Sequence, residues 1–446
     1  MRHADTIAAI ATAPGRAGIG VVRVSGPAAR NMAAEILGRT LQPRVATLCD
    51  FLEAESRVLD RGIAILYAAP HSYTGEDVLE LQGHGGLAVL QLVLRRCLDL
   101  GARPAQPGEF TQRAFLNDKL DLAQAESVAD LIDASSEAAA RSAMRSLAGE
   151  FSERVAQLNR ALIDLRALVE ATLDFPEEEI DFLERSGVLE KLDRLREGVR
   201  VLSAAAEQGR ILRDGAKVVL IGQPNVGKSS LMNRLAEEEV AIVTEIPGTT
   251  RDPLRYELVI EGVPVHVVDT AGLRDATDAV EKIGIERAWR EIHRADLALL
   301  VVDAKVGVAN ADLKILSELP DGLKKIIIFN KIDILGREPA ILQTNDTTDI
   351  WLSAKTGEGL DLLRAALLRC IGWQPMEEGT FCARERHLQA LRESEASLIR
   401  AANVSGSLEL MAEELRLAQQ AFANITGKFS ADNLLGEIFS RFCIGK

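Results

Sequence analysis

The stretch Gly222-Gln223-Pro224-Asn225-Val226-Gly227-Lys228-Ser229 decides the fold of this 446-residue chain. Before it, Lys217-Val218-Val219-Leu220-Ile221 is a short, β-branched apolar run that reads as a buried strand; after it, Ser230-Leu231-Met232-Asn233-Arg234-Leu235 starts a helix. Gly222 and Gly227 let the backbone turn tightly between the two, so that successive N–H groups and the helix N-terminus face an anion. Lys228 adds positive charge at the β- and γ-phosphates of a nucleotide, and the Ser229 hydroxyl can ligate Mg²⁺. The segment from Asn225 through Val226, Gly227, Lys228 and Ser229 to Ser230 is therefore expected against the phosphates.

Three further motifs follow in order. Asp269-Thr270-Ala271-Gly272 comes after the apolar run Val265-His266-Val267-Val268, where an acid can hold Mg²⁺ through water and a glycine can meet the γ-phosphate. Lys325-Ile326-Ile327-Ile328-Phe329 leads into Asn330-Lys331-Ile332-Asp333, and a third strand-like run ends in Ser353-Ala354-Lys355. A carboxylate at Asp333 can accept two hydrogen bonds from the guanine edge, N1–H and the exocyclic amine. Adenine cannot offer that pair, so the expected ligand is GTP rather than ATP. Where Ras-like GTPases carry a water-orienting glutamine after the Asp-x-x-Gly glycine, this chain has Leu273. Glu281, at the end of a polar segment and just before a helix expected near Ile283, could align the water directly or through a second water. It could equally be a helix-start acid favoured by the macrodipole.

Composition fits a cytoplasmic enzyme. No basic leader precedes an apolar run and no apolar run reaches spanning length, so neither export nor membrane insertion is expected. The 5 cysteines are scattered, which argues against a disulfide framework or a Cys-x-x-Cys metal site. A net charge of −14 offers no general attraction for nucleic acid, so any RNA contact must be local or shared with a partner.

Periodicity divides the chain. Residues 1–117 mix short strands, such as Gly20-Val21-Val22-Arg23-Val24 and Asp77-Val78-Leu79-Glu80-Leu81, with a helix over 88–98, which predicts a compact α+β domain. Residues 118–212 turn helical, with Met144, Leu147, Phe151, Val155, Leu158, Leu162, Leu165 and Val169 at steps of three and four. A Ras-like α/β P-loop GTPase domain takes 213–375. Helical spacing returns over 376–446, at Leu408, Met411, Leu415, Ala418 and Phe422. The expected architecture is thus an α+β domain, then an all-α domain into which the GTPase domain is inserted.

Four segments carry a family resemblance over nearly the whole chain. They are Asp5-Thr6-Ile7 through Pro14-Gly15-Arg16-Ala17-Gly18-Ile19-Gly20; the run from Tyr73-Thr74-Gly75-Glu76-Asp77 to Gln82-Gly83-His84-Gly85-Gly86; Ala114-Phe115-Leu116-Asn117-Asp118-Lys119-Leu120-Asp121 with its continuation to Glu126; and the terminal Phe442-Cys443-Ile444-Gly445-Lys446. With them the chain closely resembles the bacterial tRNA-modification GTPases of the MnmE, or TrmE, family. The resemblance implies pairing of the two helical stretches, a cytoplasmic homodimer, and work with a flavin-dependent MnmG-type partner in a heterotetramer. The flavin, FAD, belongs to that partner. Together they would install an aminomethyl or carboxymethylaminomethyl group on carbon 5 of the wobble uridine of certain tRNAs, a reduced folate (5-formyl- or methylene-tetrahydrofolate) supplying the one-carbon unit.

The family's folate contacts fall on Arg23, Glu80 and Lys119, with Lys446 near the chain end. The same resemblance places Cys443 near the folate and tRNA chemistry, as a nucleophile or acid–base group, against a plain packing role. His84, between glycines, reads as a turn histidine.

Asn225 offers a side-chain oxygen beside the phosphates, and the loop Thr244-Glu245-Ile246-Pro247-Gly248-Thr249-Thr250-Arg251-Asp252 could complete an oxygen cage of the kind that suits K⁺. In the family that ion is held by the residues matching Asn225, Thr244, Ile246 and Thr249 in place of an arginine finger, with Thr250 and Ser229 on Mg²⁺. The competing function is a regulatory GTPase switch whose appended domains only bind a partner.

Overall fold

The computed structural model describes residues 5–173, 187–238, 255–269, 286, 288–344, 347–374, 379–427, 438–440, 442, 444 and 445. Expectations for Thr244 to Thr250, Thr270 to Gly272, Glu281, Cys443 and Lys446, and for the side chain of Asp269, lie outside the described residues. The chain forms two compact units, 1–129 with 146–196 and 393–446, and 130–145 with 197–392.

The first unit is built on strands β1 (Ile7–Ile10), β2 (Ala17–Ser25), β3 (Thr47–Leu52), β4 (Val58–Tyr67), β5 (Val78–Gly85) and β6 (Arg103–Pro104). They form one sheet in the order β3-β4-β5-β2-β1-β6. Strand alternation sends Val22, Val24, Leu79 and Leu81 to one face, where they pack with Met32 and Ile36 of helix Ala29–Leu37 and with Val93 and Cys97 of helix Leu87–Asp99. The opposite face carries Arg23 and Glu80, and it leaves Ile19, Leu48 and Ile63 exposed.

The expected helical periodicity is present but interrupted. Helix Glu137–Leu147 ends before Gly149, whose φ of +93° an L side chain rarely adopts, and helix Glu150–Leu173 begins after it. Met144 accordingly is exposed, whereas Phe151, Val155, Leu162, Leu165 and Val169 are buried. Helix Leu408–Thr426 packs beside Glu150–Leu173 and buries Leu408, Met411, Leu415, Ala418 and Phe422.

The second unit holds β7 (Ala216–Ile221), β8 (Arg255–Ile260), β9 (Val263–Asp269), β10 (Leu297–Asp303), β11 (Lys324–Asn330), β12 (Ala340–Gln343) and β13 (Thr348–Trp351). Their order is β12-β13-β11-β10-β7-β9-β8, with β8 and β12 antiparallel to their neighbours and the rest parallel. Central strands are apolar on both faces. Val218, Leu220, Leu299, Val301, Ile326 and Ile328 enter one core, and Val219, Ile221, Ala298, Leu300, Val302 and Ile327 enter the other. That is why these runs read as continuous rather than alternating, as a doubly covered parallel sheet requires.

Candidate functional site

The phosphate cradle sits where β7 ends and helix Lys228–Glu238 begins. Gly222 turns with φ +149°, and a Cβ there would lie 2.3 Å from the Val301 carbonyl oxygen. Gly227 turns with φ +100°, and a Cβ there would lie 2.3 Å from Asn330 Nδ2. Both positions therefore demand glycine. The Lys228 ammonium donates to the carbonyls of Gly222 (2.6 Å) and Gln223 (3.0 Å), holding a positive charge across the turn. Ser229 and Ser230 are exposed on the first helical turn, and Asn225, at φ +63°, is exposed at its mouth. The donors, the cation and the exposed hydroxyl suit a polyphosphate with its Mg²⁺.

Asn330 joins three loops. Buried at the end of β11, it donates from Nδ2 to the Val226 carbonyl (2.8 Å), while its Oδ1 accepts from the backbone N–H of Lys331 (2.8 Å) and of Ala354 (2.9 Å). Lys331, at φ +70°, reaches back to the Asn225 carbonyl (2.7 Å) and to Asp303 Oδ2 (2.8 Å). The hydrogen bond from Lys331 holds the Asp303 carboxyl below its ordinary range. Asp333 accepts a 2.7 Å hydrogen bond from the buried Ser353 hydroxyl through Oδ1. One carboxylate oxygen is thereby fixed, which holds the plane of the carboxylate in place. Lys355 is exposed, and its carbonyl accepts from Arg234 (2.6 Å). Behind these loops Phe329 and Trp351 stack at 4.7 Å, and the Arg337 guanidinium lies 4.3 Å from the Trp351 ring centre.

On the sheet of the first unit, Arg23 of β2 stands directly opposite Glu80 of β5. Arg23 Nη2 and Nε lie 2.9 and 3.0 Å from Glu80 Oε1, and the guanidinium stands 5.7 Å from the Tyr73 ring centre and 5.8 Å from that of Phe110. Both side chains are partly solvent-accessible, at 23% and 15%. Lys119 donates to the Pro70 carbonyl (3.0 Å). The chain's last described residues come to this place. Gly445 offers its carbonyl to Arg23 Nη1 (3.5 Å), and a Cβ on Gly445 would lie 2.4 Å from the Ile10 carbonyl oxygen. Phe439 and Phe442 are buried with Leu122 and Ala125.

Residues 6–119 match the family model for the GTP-binding protein TrmE N-terminus, and residues 122–443 match that for the MnmE helical domain. The tRNA modification GTPase MnmE of Thiobacillus denitrificans is 60% identical over 442 residues, covering 99% of this chain and 98% of that protein. This chain belongs to the MnmE family of tRNA modification GTPases. The MnmE proteins of Aromatoleum aromaticum and Nitrosomonas europaea are each 58% identical, over 99% and 100% of this chain.

For a member of the MnmE family, the site residues divide into those brought together and those not. Asn330 and Lys331 tie Asn225, Val226 and Ala354 together at the end of β7 and β11, Ser353 holds Asp333 beside them, and Lys228 closes the turn of the cradle through Gly222 and Gln223. Arg23 and Glu80 are paired, whereas Lys119 is held at Pro70. Among the described cysteines, burial pushes Cys97 and Cys382 up to about 12, which removes both as thiolate nucleophiles near neutral pH.

Sequence reasoning missed a buried ion network beneath the Arg23 face. Arg113 is fully buried and bonds Asp5 Oδ1 (2.9 Å), Glu76 Oε2 (3.1 Å) and Glu109 Oε1 (3.0 Å); Arg103 also bonds Asp5 and Glu109. No local spacing signals it, because Arg103, Glu109 and Arg113 close it only with Asp5 and Glu76, which are 37 or more residues away from Arg113 in the chain. His84 is a second departure. It lies in β5 rather than in a turn.

Proposed function

We propose that this GTP hydrolase of tRNA modification is a K⁺-activated enzyme that, with a flavin-dependent partner, adds an aminomethyl or carboxymethylaminomethyl group to carbon 5 of a wobble uridine. The observation that carries the reading is the joining, in one chain, of a nucleotide-site cluster to a separate sheet face where Arg23, Glu80, Tyr73 and Gly445 converge. A switch that only bound partners would need no such second site. Folding 1–117 as the folate domain, 213–375 as the GTPase domain, and 118–212 with 376–446 as the helical domain accommodates both chemistries in one cytoplasmic protein.

In the GTPase domain, Lys228 and the N–H groups of the cradle neutralise phosphate charge, Ser229 and Thr250 hold Mg²⁺, and Asp269, Thr270, Ala271 and Gly272 meet the γ-phosphate side. Asn225 fits the role of a K⁺ ligand, since its side-chain amide makes no hydrogen bond among the described residues while its backbone carbonyl is tied by Lys331. Bound K⁺, with Thr244, Ile246 and Thr249 as further ligands, would supply the positive charge that an arginine finger supplies elsewhere. Glu281 orients the attacking water, a role that Leu273 cannot fill. In the folate domain, a carboxylate, a guanidinium and two aromatic rings within reach suit a planar heterocycle with polar edges, and Lys119 and Lys446 suit its acidic tail. A bound reduced folate would supply the one-carbon unit. The exposed Ile19, Leu48 and Ile63 on the same sheet face support a homodimer.

Two measurements test this reading. Hydrolysis at saturating GTP should be fast in K⁺ and slow in Na⁺, with the dependence weakened by Asn225→Ala; equal rates in the two salts contradict K⁺ activation. Titration calorimetry of the full-length protein with 5-formyltetrahydrofolate should show binding that Arg23→Ala weakens. No binding by the wild type removes the one-carbon role.

A further inference from the structure

A groove of about 1360 Å³ is lined by helix Glu150–Leu173, by helix Leu408–Thr426 and by the segment from Phe115 to Gln124. All of these wall residues lie in the first compact unit. Of the residues assigned a role above, only Lys119 borders it. Drug-sized ligands occupy roughly 300–1,000 Å³, so this groove has room for more than one nucleotide-sized group. The periodicity that buries Phe151, Val155, Leu162, Leu165 and Val169 leaves a neighbouring stripe on the same helix. That stripe, Ser152, Ala156, Asn159, Ile163 and Arg166 at steps of four and three, lines the groove. Arg416, Gln420, Ala423 and Thr426 do the same on the other helix.

The chemistry of the wall is unlike that of the chain at large. Five amides line it, those of Gln124, Asn159, Gln419, Gln420 and Asn424. Its charged groups are Lys119, Arg160, Arg166 and Arg416 against Asp118, Asp121 and Glu153. Cations thus outnumber acids here, whereas the whole chain has 52 lysines and arginines against 66 acids. Arg166 ties the two helices together: Nε donates to Glu170 Oε1 (2.7 Å) and Nη1 to Gln419 Oε1 (2.7 Å), and Nη2 has no hydrogen-bond partner among the described residues. Ser152 is 8% exposed, and its buried hydroxyl has no hydrogen-bond partner among the described residues; the same holds for Asn159 Oδ1. Two buried polar atoms left open in one wall are costly unless a ligand uses them. Arg160 and Arg416 are exposed and held by the exposed carboxylates of Glu153 and Glu413, pairs weak enough in water to be exchanged for a phosphate.

We infer that this groove binds unpaired nucleotides of the substrate tRNA. The inference needs the family's action on tRNA and is independent of the folate reading. RNA is read mainly where its bases are unpaired and their edges free, and amides and arginine forks are the side chains that pair with those edges. Asn159, Gln420 and the open Nη2 of Arg166 supply such groups, Leu116 and Ile163 are exposed for contact with a base plane, and Arg160 and Arg416 suit the backbone phosphates. A helical peptide is the poorer fit. It would need a row of apolar anchor sites, and the large apolar side chains exposed in this wall are Leu116 and Ile163. A local site of this kind is what a chain of net charge −14 requires to hold RNA.

The test uses the full-length protein, alone and with its flavoprotein partner, and a substrate tRNA carrying 4-thiouridine in place of uridine. Irradiation should crosslink loop nucleotides to peptides covering 152–166 and 416–427. Arg160→Glu and Gln420→Glu, both at exposed side chains, should each weaken tRNA binding roughly tenfold, with thermal unfolding unchanged and GTP turnover within about twofold of the wild type. Arg160→Gln should make the fall of log Kobs with log salt shallower by about 0.7, the mark of one phosphate contact on a single strand, which a merely structural defect would not produce. A tRNA stem-loop with its loop bases free should compete for the site, and the same sequence annealed to its complement should not. Crosslinks confined to other surfaces, wild-type tRNA affinity in both acidic variants, or equal competition by the duplex overturns the assignment. Loss of flavoprotein binding in those variants with tRNA binding intact also overturns it, by making the groove a protein interface.

Discussion

Asn330 sits among Val226, Lys331 and Ala354 with every polar atom of its amide engaged in holding backbone. Sequence alone placed it at the nucleotide because of its motif; the structure makes it a brace between the cradle and the base-reading loops, which no linear pattern reveals. Asn330→Ala would leave a buried carbonyl and N–H without partners, a loss of about 2–4 kcal/mol in denaturant unfolding, with weaker GTP binding. An unchanged unfolding midpoint would mean the loops are held by other contacts. The motif singles out Asp333 as the proposed guanine reader, but its hydrogen bond to Ser353 could not be read from the sequence, since the two are 20 residues apart. Asp333→Asn should lower GTP affinity by about 2–4 kcal/mol, because an amide cannot accept both guanine hydrogen bonds. Unaltered GTP affinity by titration would count decisively against that assignment.

At the scale of elements, the apolar runs 217–221, 265–268 and 325–329 announced strands, and all three lie in the parallel part of one sheet. Such runs are readable because burial on both faces leaves no room for polar residues. The N-terminal strands were readable only in part. Their alternation shows which residues face the core, but the ion network of Asp5, Glu76, Arg103, Glu109 and Arg113 is assembled from distant segments and leaves no period in the sequence. Burial raises the carboxyls of Asp5 and Glu109, and the arginine hydrogen bonds and charges more than reverse this, so both end lowered from 3.8 and 4.5. Groups depressed in the folded state stabilise it above their unfolded values, and that contribution is lost as pH falls through their folded values. Hydrogen-exchange protection of β1 and β5 should therefore hold down to about pH 4.5 and fall below it. Arg113→Met strands buried acids and should cost about 3–5 kcal/mol; protection equal to the wild type would show the network to be dispensable.

For the whole molecule, a GTPase of tRNA modification is carried on an acidic chain. A net charge of −14 means tRNA is not drawn to the surface at large, so contact with tRNA has to be made by local sites or shared with a partner. The GTPase motifs were legible because phosphate and guanine recognition need fixed spacings within single strand-to-helix turns. The N-terminal cluster leaves no signal in linear spacing, because Arg23, Glu80, Tyr73 and Gly445 meet through sheet register and the return of the chain end. The central claim is that this GTPase acts in modifying carbon 5 of the wobble uridine. It is tested most directly by mass spectrometry of tRNA from a strain lacking the protein. The expected result is loss of the aminomethyl-type substituent, its return with the wild-type chain, and no return with Lys228→Ala or Arg23→Ala. Wobble uridines that remain fully modified in the deletion strain would contradict the account.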